Sequence, residues 1–330
     1  MFLSRRVFTL TSLKSTRNYQ VTVLGAANEI GQTVSLLLRG QPSITKLIIH
    51  DTLDITPGVL MDVAHVPAES SVMGYKGEET LDRALKGSDL VIATGGMIRK
   101  PGITEESWLQ ENTYFIKNIA PKISKCEPLP FLGIVTEPVN SMVPMAAEIM
   151  RNHGNFDGKK LFGITAIDAL RAQCLYAAEN NLSPCECFVP VIGGHSDKTI
   201  VPLLSQAIPR INMNDQLIQE FTLRIRKCED IVSKAKKGWS PTLSISYSVL
   251  VFVRGILEAL EGNPSRVNAY IENNDFGTSY FSGLVSVNQN GVGEMQRYTD
   301  LSKYEVNLLE RTIEQLRKDI TKGKKILELA

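Results

Sequence analysis

The chain has 330 residues, a formal charge of +1, 43% apolar and 22% charged residues. That length suits two domains, or one large α/β unit with an appended half. The near-neutral balance, with no basic stripe interleaved with aromatics, gives no nucleic-acid footprint, and no uninterrupted apolar run approaches the roughly 18 residues of a membrane span.

Residues 1–18 hold Arg5, Arg6, Lys14, Arg17 and six Ser or Thr, and no acid precedes Glu29. A basic, hydroxylated, acid-free start has the composition of a mitochondrial transit peptide, with Phe2, Leu3, Val7, Phe8, Leu10 and Leu13 forming one apolar face. The long apolar core of a secretory signal is missing. The expected destination is the mitochondrial matrix; the alternative is a merely basic tail.

Residues 21–31 (VTVLGAANEIG) read as a buried strand, a tight turn and the first turn of a helix. Such a turn sets a dinucleotide's pyrophosphate on a helix N-terminus, where free N–H groups and the dipole favour an anion. Gly25 and Gly31 frame it. A second apolar run ends at Asp51, twenty residues past Gly31; a carboxylate there accepts from a ribose 2′-hydroxyl and favours NAD over its phosphorylated relative. The middle glycine of the fingerprint belongs at position 28, where this chain has Asn28 followed by Glu29. The first lengthens the approach of backbone to phosphate and the second adds negative charge. A plain strand–turn–helix packing unit is the competing reading.

Further along, residues 58–65 suggest a helix, 68–74 an irregular segment, and 89–94 and 131–136 buried strands. Apolar β-rich runs separated by helical patterns imply a parallel sheet with helices on both faces. Ligands on such sheets bind at the carboxyl ends of the strands. From about residue 160 a strand feeds a helix carrying Asp168 and Arg171, which are neighbours on one helical face. A run ending in Gly193-Gly194-His195 follows, then helices over 215–237 and 241–260, strands over 266–272 and 283–288, and a terminal helix over 303–329. The expected division is 1–18, then a nucleotide-binding domain over 19–163 and a second domain over 164–330. Cys126, Cys174, Cys185, Cys187 and Cys228 are odd in number and lack metal-site spacing, so reduced thiols and no metal are expected.

Three segments, PVIGGHS (190–196), GITAIDALR (163–171) and GMIRKPG (96–102), closely resemble the malate dehydrogenases of mitochondrial and bacterial type, in register over nearly the whole chain. The resemblance implies a doubly wound Rossmann-type sheet followed by an α+β substrate domain, NAD as cofactor, a small dicarboxylate substrate, and a dimer with itself or a related subunit. It implies that His195 is the general acid/base, suited by a pKa near neutrality, and that Asp168 fixes its tautomer. Arg171 matches the arginine gripping the carboxylate beside the reacting carbon, Arg99 one that contacts the far carboxylate, and Asn112 and Val135 positions lining the cofactor or the substrate beside it. Read without the family, His195 is a structural histidine and Arg171 an ion-pair partner of Asp168.

The same pocket departs from the family pattern. The family has a lid arginine at 105 and an asparagine at 137; this chain has Glu105 and Glu137. Glycine is also lost at Asn28, Glu29 and Asp197, and Trp239 enters KKGWSP (236–241) where the family is Gly- and Ala-rich, which puts a large ring beside the substrate. Losing one donor aimed at a developing oxyanion costs about 10²–10³ in turnover. Three readings follow: a malate dehydrogenase impaired by Glu105 and Glu137, an inactive relative that acts by binding or as a hetero-oligomer subunit, or a dehydrogenase for a different 2-hydroxy acid.

Overall fold

The computed structural model describes residues 19–98 and 102–328. Tyr19–Leu24 (β1) is buried along its whole length. The chain turns into Glu29–Arg39 (α1) and returns as Ile44–Asp51 (β2), parallel to β1 with Val21 opposite Leu47 and Leu24 opposite His50. Thr56–Ala64 (α2) starts with Pro57 in its first turn, where a missing N–H leaves no bond unmade. Ser71–Lys76 (β3), Leu81–Leu85 (α3), Leu90–Ala93 (β4), Glu105–Ile123 (α4), Phe131–Ile134 (β5), Val139–His153 (α5) and Leu161–Ile164 (β6) complete the first half. The order β3-β2-β1-β4-β5-β6 is parallel throughout. Helices cover both faces, which is why β1, β4, β5 and β6 are buried on both sides.

The β3 strand replaces the irregular segment expected over 68–74. It lies at the sheet edge with alternating exposure and contains Gly74, so it lacks the apolar run that marks the inner strands.

The second half contains Ala166–Glu179 (α6), Val191–Gly193 (β7), Ile200–Pro202 (β8), Asp215–Arg226 (α7), Cys228–Ala235 (α8), Thr242–Leu260 (α9), Ser265–Glu272 (β9), Tyr280–Asn288 (β10), Gly291–Met295 (β11) and Lys303–Glu328 (α10). The β9 strand pairs antiparallel with β6, joining both halves in one sheet that is eleven-stranded among the described residues. The single helix expected over 215–237 is two, broken at Lys227, whose φ of −97° and ψ of 5° leave the helical range. The α9 helix is long and apolar enough to cross a bilayer, yet Val249, Phe252, Val253 and Ile256 are buried in the core and it packs against α1, α6 and β9.

A second core cluster, with Ala172, Tyr176, Val189, Phe221 and Ile225, fixes α6 against α7. Burying each large side chain there contributes about 1.5–3 kcal/mol. Fully buried Tyr176 donates from Oη to the Pro209 carbonyl at 2.7 Å, so its polar tip is satisfied. This anchors the helix turn that carries Asp168 and Arg171.

Candidate active site

The neighbours of β1 diverge to β2 on one side and β4 on the other, opening the crevice in which doubly wound sheets bind nucleotides. Gly25 turns the chain there at φ +78°; a Cβ at that position would strike the Gly95 backbone, and one at Gly31 would strike the Gly25 carbonyl. Asn28 has a constructive local role. Its Oδ1 accepts from Gly31 N at 2.8 Å and its Nδ2 donates to Thr94 O at 2.6 Å, which caps α1 but occupies an N–H the phosphate would use. Asp51 is buried, with Oδ2 accepting from Ala27 N at 2.8 Å and Oδ1 from Thr52 N at 2.7 Å. It ties the end of β2 to the phosphate turn. Close glycine packing, a free crevice and a carboxylate at the second strand's end all fit a dinucleotide.

A cleft runs from Ile30 and Gly95 past Val135 to Glu137 and His195. It adjoins a wider one of about 470 Å³, lined by Ile98, Arg171, His195, Asp197 and Glu229 among others. His195 lies just beyond β7 and Asp168 in the first turn of α6. His195 Nδ1 donates to Asp168 Oδ2 at 2.7 Å, since an ionised carboxylate only accepts. Nε2 is therefore aimed at the cleft. Asn140, buried at the start of α5, accepts the His195 backbone N–H at 2.8 Å and donates to Asp319 at 2.9 Å and to Thr199 at 3.1 Å. It is a positioning residue that the sequence reading missed, although it lies only three residues past Glu137.

Arg171 is 8% exposed and lies 3.8 Å from Asp168 Oδ1, too long for a hydrogen bond. Arg171 Nη2 and Asp168 Oδ1 are both buried without a hydrogen-bond partner. Such groups cost about 1–3 kcal/mol each, and a planar carboxylate in the cleft would satisfy the guanidinium.

Glu137 follows β5 and brings Oε1 to 3.6 Å from His195 Nε2. Glu229, in the first turn of α8, places Oε2 3.9 Å from Arg171 Nη1. No motif marked Glu229: it comes from a helix far along the chain, and only tertiary packing brings it here. Burial works to lower the His195 pKa, but Asp168 and then Glu137 outweigh it and hold the imidazole well above its ordinary 6.5. Glu229 is pushed up to about 7, chiefly by the Glu137 carboxylate and then by burial, against the opposing His195 and Arg171.

Glu137→Gln removes a carboxylate that favours the imidazolium, so the His195 titration midpoint is expected to fall. Glu229, losing the largest cause of its upward shift, should ionise at lower pH. Imidazole proton NMR checks the first shift directly, because the chain has only 4 histidines.

The remaining predicted residues divide. Val135 lines the cleft. Asn112 is buried and engages Met97 N at 2.5 Å, Met97 O at 3.2 Å and the Glu137 carbonyl at 2.6 Å, so it shapes the wall through those groups. Arg99 lies outside the described residues, as does the Glu105 side chain. Trp239 is not among the described residues lining the cleft. It is 57% exposed, and Ser240 takes the cleft wall instead, because Lys237 and Gly238 both turn the chain at positive φ just before it. The five cysteines are free thiols.

A parallel nucleotide-binding half joined to a second half that supplies an oriented histidine–aspartate pair defines a dinucleotide-dependent dehydrogenase architecture. The profile of the lactate/malate dehydrogenase NAD binding domain matches residues 19–163, and that of the lactate/malate dehydrogenase alpha/beta C-terminal domain matches 165–327. The mitochondrial malate dehydrogenase 2 of Arabidopsis thaliana is 39% identical over 313 residues, covering 94% of this chain and 91% of that protein. The mitochondrial malate dehydrogenase of Citrullus lanatus is 40% identical over 307 residues, covering 92% and 88%. Among solved structures, the Cryptosporidium parvum malate dehydrogenase has a TM-score of 0.79 at 22% identity, covering 94% of this chain and 100% of that one. The chain belongs to the lactate/malate dehydrogenase family, and NAD is its cofactor.

Proposed function

We propose that this chain binds NAD(H) and interconverts (S)-malate and oxaloacetate slowly, with Glu105 and Glu137 as the main brakes. The observation that carries this reading is the Glu137 carboxylate 3.6 Å from His195 Nε2, the atom that donates to the substrate's 2-oxo oxygen. NAD(H) supplies or accepts the hydride. Arg171 holds the carboxylate beside the reacting carbon through two parallel N–H bonds. Protonated His195 donates to the oxygen as negative charge develops, and Asp168 stabilises the imidazolium. Glu137 opposes this, because its carboxylate repels a substrate that is already a dianion, and Glu229 adds to the repulsion in its ionised form. Two unit charges 4 Å apart interact by about 4 kcal/mol near a protein surface, enough to depress binding and turnover together.

Two other readings have specific support. A subunit role, in a homodimer or with a related chain, is favoured by exposed Leu243, Tyr247 and Val251 on successive turns of α9, and by exposed Leu36 on α1, the helix packed against it. A different 2-hydroxy acid, one bearing a cationic group, is favoured by the two carboxylates facing the cleft. Thermal-shift measurements with NADH, followed by a panel of neutral, anionic and cationic 2-oxo acids, test these together. Stabilisation by NADH with slow turnover of oxaloacetate supports the proposal, and fast turnover of a cationic 2-oxo acid replaces it.

Asp51 would repel a ribose 2′-phosphate, so calorimetry should find NADH bound more tightly than NADPH; the reverse order would contradict the role given to Asp51. Residues 1–18 lie outside the described residues. Their basic, acid-free composition supports import into the mitochondrial matrix, and a fusion of residues 1–25 to a fluorescent reporter should be matrix-localised. A reporter left in the cytosol would overturn that assignment.

A further inference from the structure

We propose that Glu137, His195 and Glu229 form a site for one divalent transition-metal ion, with Zn²⁺ the best match, and that the ion competes for the lone pair His195 uses as a base. One ligand atom from each residue lies within 4.8 Å of the other two. His195 Nε2 and Glu137 Oε1 are 3.6 Å apart, close to the edge of a tetrahedron with bonds of about 2.0–2.2 Å. One imidazole and two carboxylates, with no thiolate, suit zinc over copper(I) or an iron–sulfur centre. Three protein ligands leave a fourth position for water or an anion.

Two further features are those of a metal site rather than of an acidic patch. His195 donates its other nitrogen to Asp168 at 2.7 Å, the carboxylate–histidine arrangement that fixes the tautomer and raises ligand basicity at zinc. Arg171, 8% exposed, points into the cluster 3.9 Å from Glu229, and its Nη2 has no hydrogen-bond partner. It is placed to hold an anion at the fourth position. Metal binding would displace the protons held by His195 and Glu229, leaving three carboxylates against one guanidinium among the described residues of the cluster, a formal charge of −2 that a divalent ion cancels.

Occupancy by metal and proton transfer by His195 exclude each other, because both need Nε2. The pyrophosphate and ribose of NADH would sit at the Gly25–Asp51 end of the crevice, away from the cluster. Metal affinity is read by calorimetry without any turnover.

Titrating the metal-stripped full chain with ZnCl₂ by calorimetry is expected to give one Zn²⁺ per chain. Glu229→Gln should weaken it at least tenfold, since even an outer partner of a zinc ligand is worth 10–100-fold, and His195→Gln should abolish it. Circular dichroism and melting temperature verify that both variants fold. X-ray absorption of the zinc-loaded parent needs no variant. It should show an imidazole nitrogen and oxygens at about 2.0–2.2 Å and no sulfur at about 2.3 Å. No stoichiometric binding, equal affinity in both variants, or a sulfur-dominated shell from the free cysteines would overturn the proposal.

Discussion

Changing Glu105 to Arg and Glu137 to Asn together is expected to raise turnover of oxaloacetate by about 10²–10³ or more. His195, the proposed general acid, its partner Asp168 and Arg171 are already in place at the cleft, with the His195–Asp168 bond at 2.7 Å. The family pattern puts an arginine at 105 on a lid over the substrate, and restoring that cationic donor would return roughly 3 kcal/mol of transition-state stabilisation. An amide at 137 adds a donor in place of a repelling carboxylate, about 1.5–3 kcal/mol at most. If the family's lid position at 105 holds here, both groups act on one substrate and the pair should exceed the sum of the singles. Glu229 sets the ceiling: its carboxylate still lies 3.9 Å from the guanidinium that must take the substrate, so adding Glu229→Gln should lower KM further. Steady-state kinetics on the single, double and triple variants separates these contributions. A double variant that binds NADH, melts like the parent and turns over no faster would show that charge is not the brake. Steric closure by Trp239 would not rescue the explanation, because that ring is 57% exposed and is not among the described residues lining the cleft.

Asp168→Asn in the rescued background is expected to lose about 10⁴ in turnover, the scale seen when an amide replaces the carboxylate behind a catalytic imidazole. Asp168 is 2% exposed and contributes more than the orientation of the ring. It is the largest favourable influence holding His195 protonated, and an uncharged amide cannot stabilise the imidazolium. The pH dependence gives the signature. Oxaloacetate reduction uses the protonated ring, so lowering the His195 pKa moves the alkaline fall of kcat/KM to lower pH. A merely structural role for Asp168 would lower the melting temperature and leave the shape of that profile unchanged.

How much of this was readable from the residues depends on how local each feature is. The β1–turn–α1–β2 unit follows from an apolar run, two glycines and Asp51, all within one stretch of chain. Asp168 and Arg171 share a helix face by spacing alone. Their buried, half-satisfied state does not follow from spacing, because it depends on the Tyr176–Phe221 cluster that pins α6. The β3 strand was hidden because an edge strand needs no continuous apolar face. The break at Lys227 was hidden because both flanking segments are good helices. That break also starts α8 and brings Glu229 into its first turn. Glu229 was thus invisible for the same reason the long helix was expected, while Glu137 was legible by comparison with the family pattern. Its place in the sequence puts Trp239 at the pocket, but after two positive-φ residues the ring is 57% exposed and Ser240 takes the cleft wall.

Steady-state reduction of oxaloacetate by NADH, with metal-chelated parent protein beside a family member that carries both lid arginines, tests the central claim most directly. Two carboxylates crowding His195 and Arg171 predict saturable NADH binding with turnover lower by about 10² or more. Turnover equal to that of the family member would contradict it and make Glu137 and Glu229 harmless neighbours of a working site.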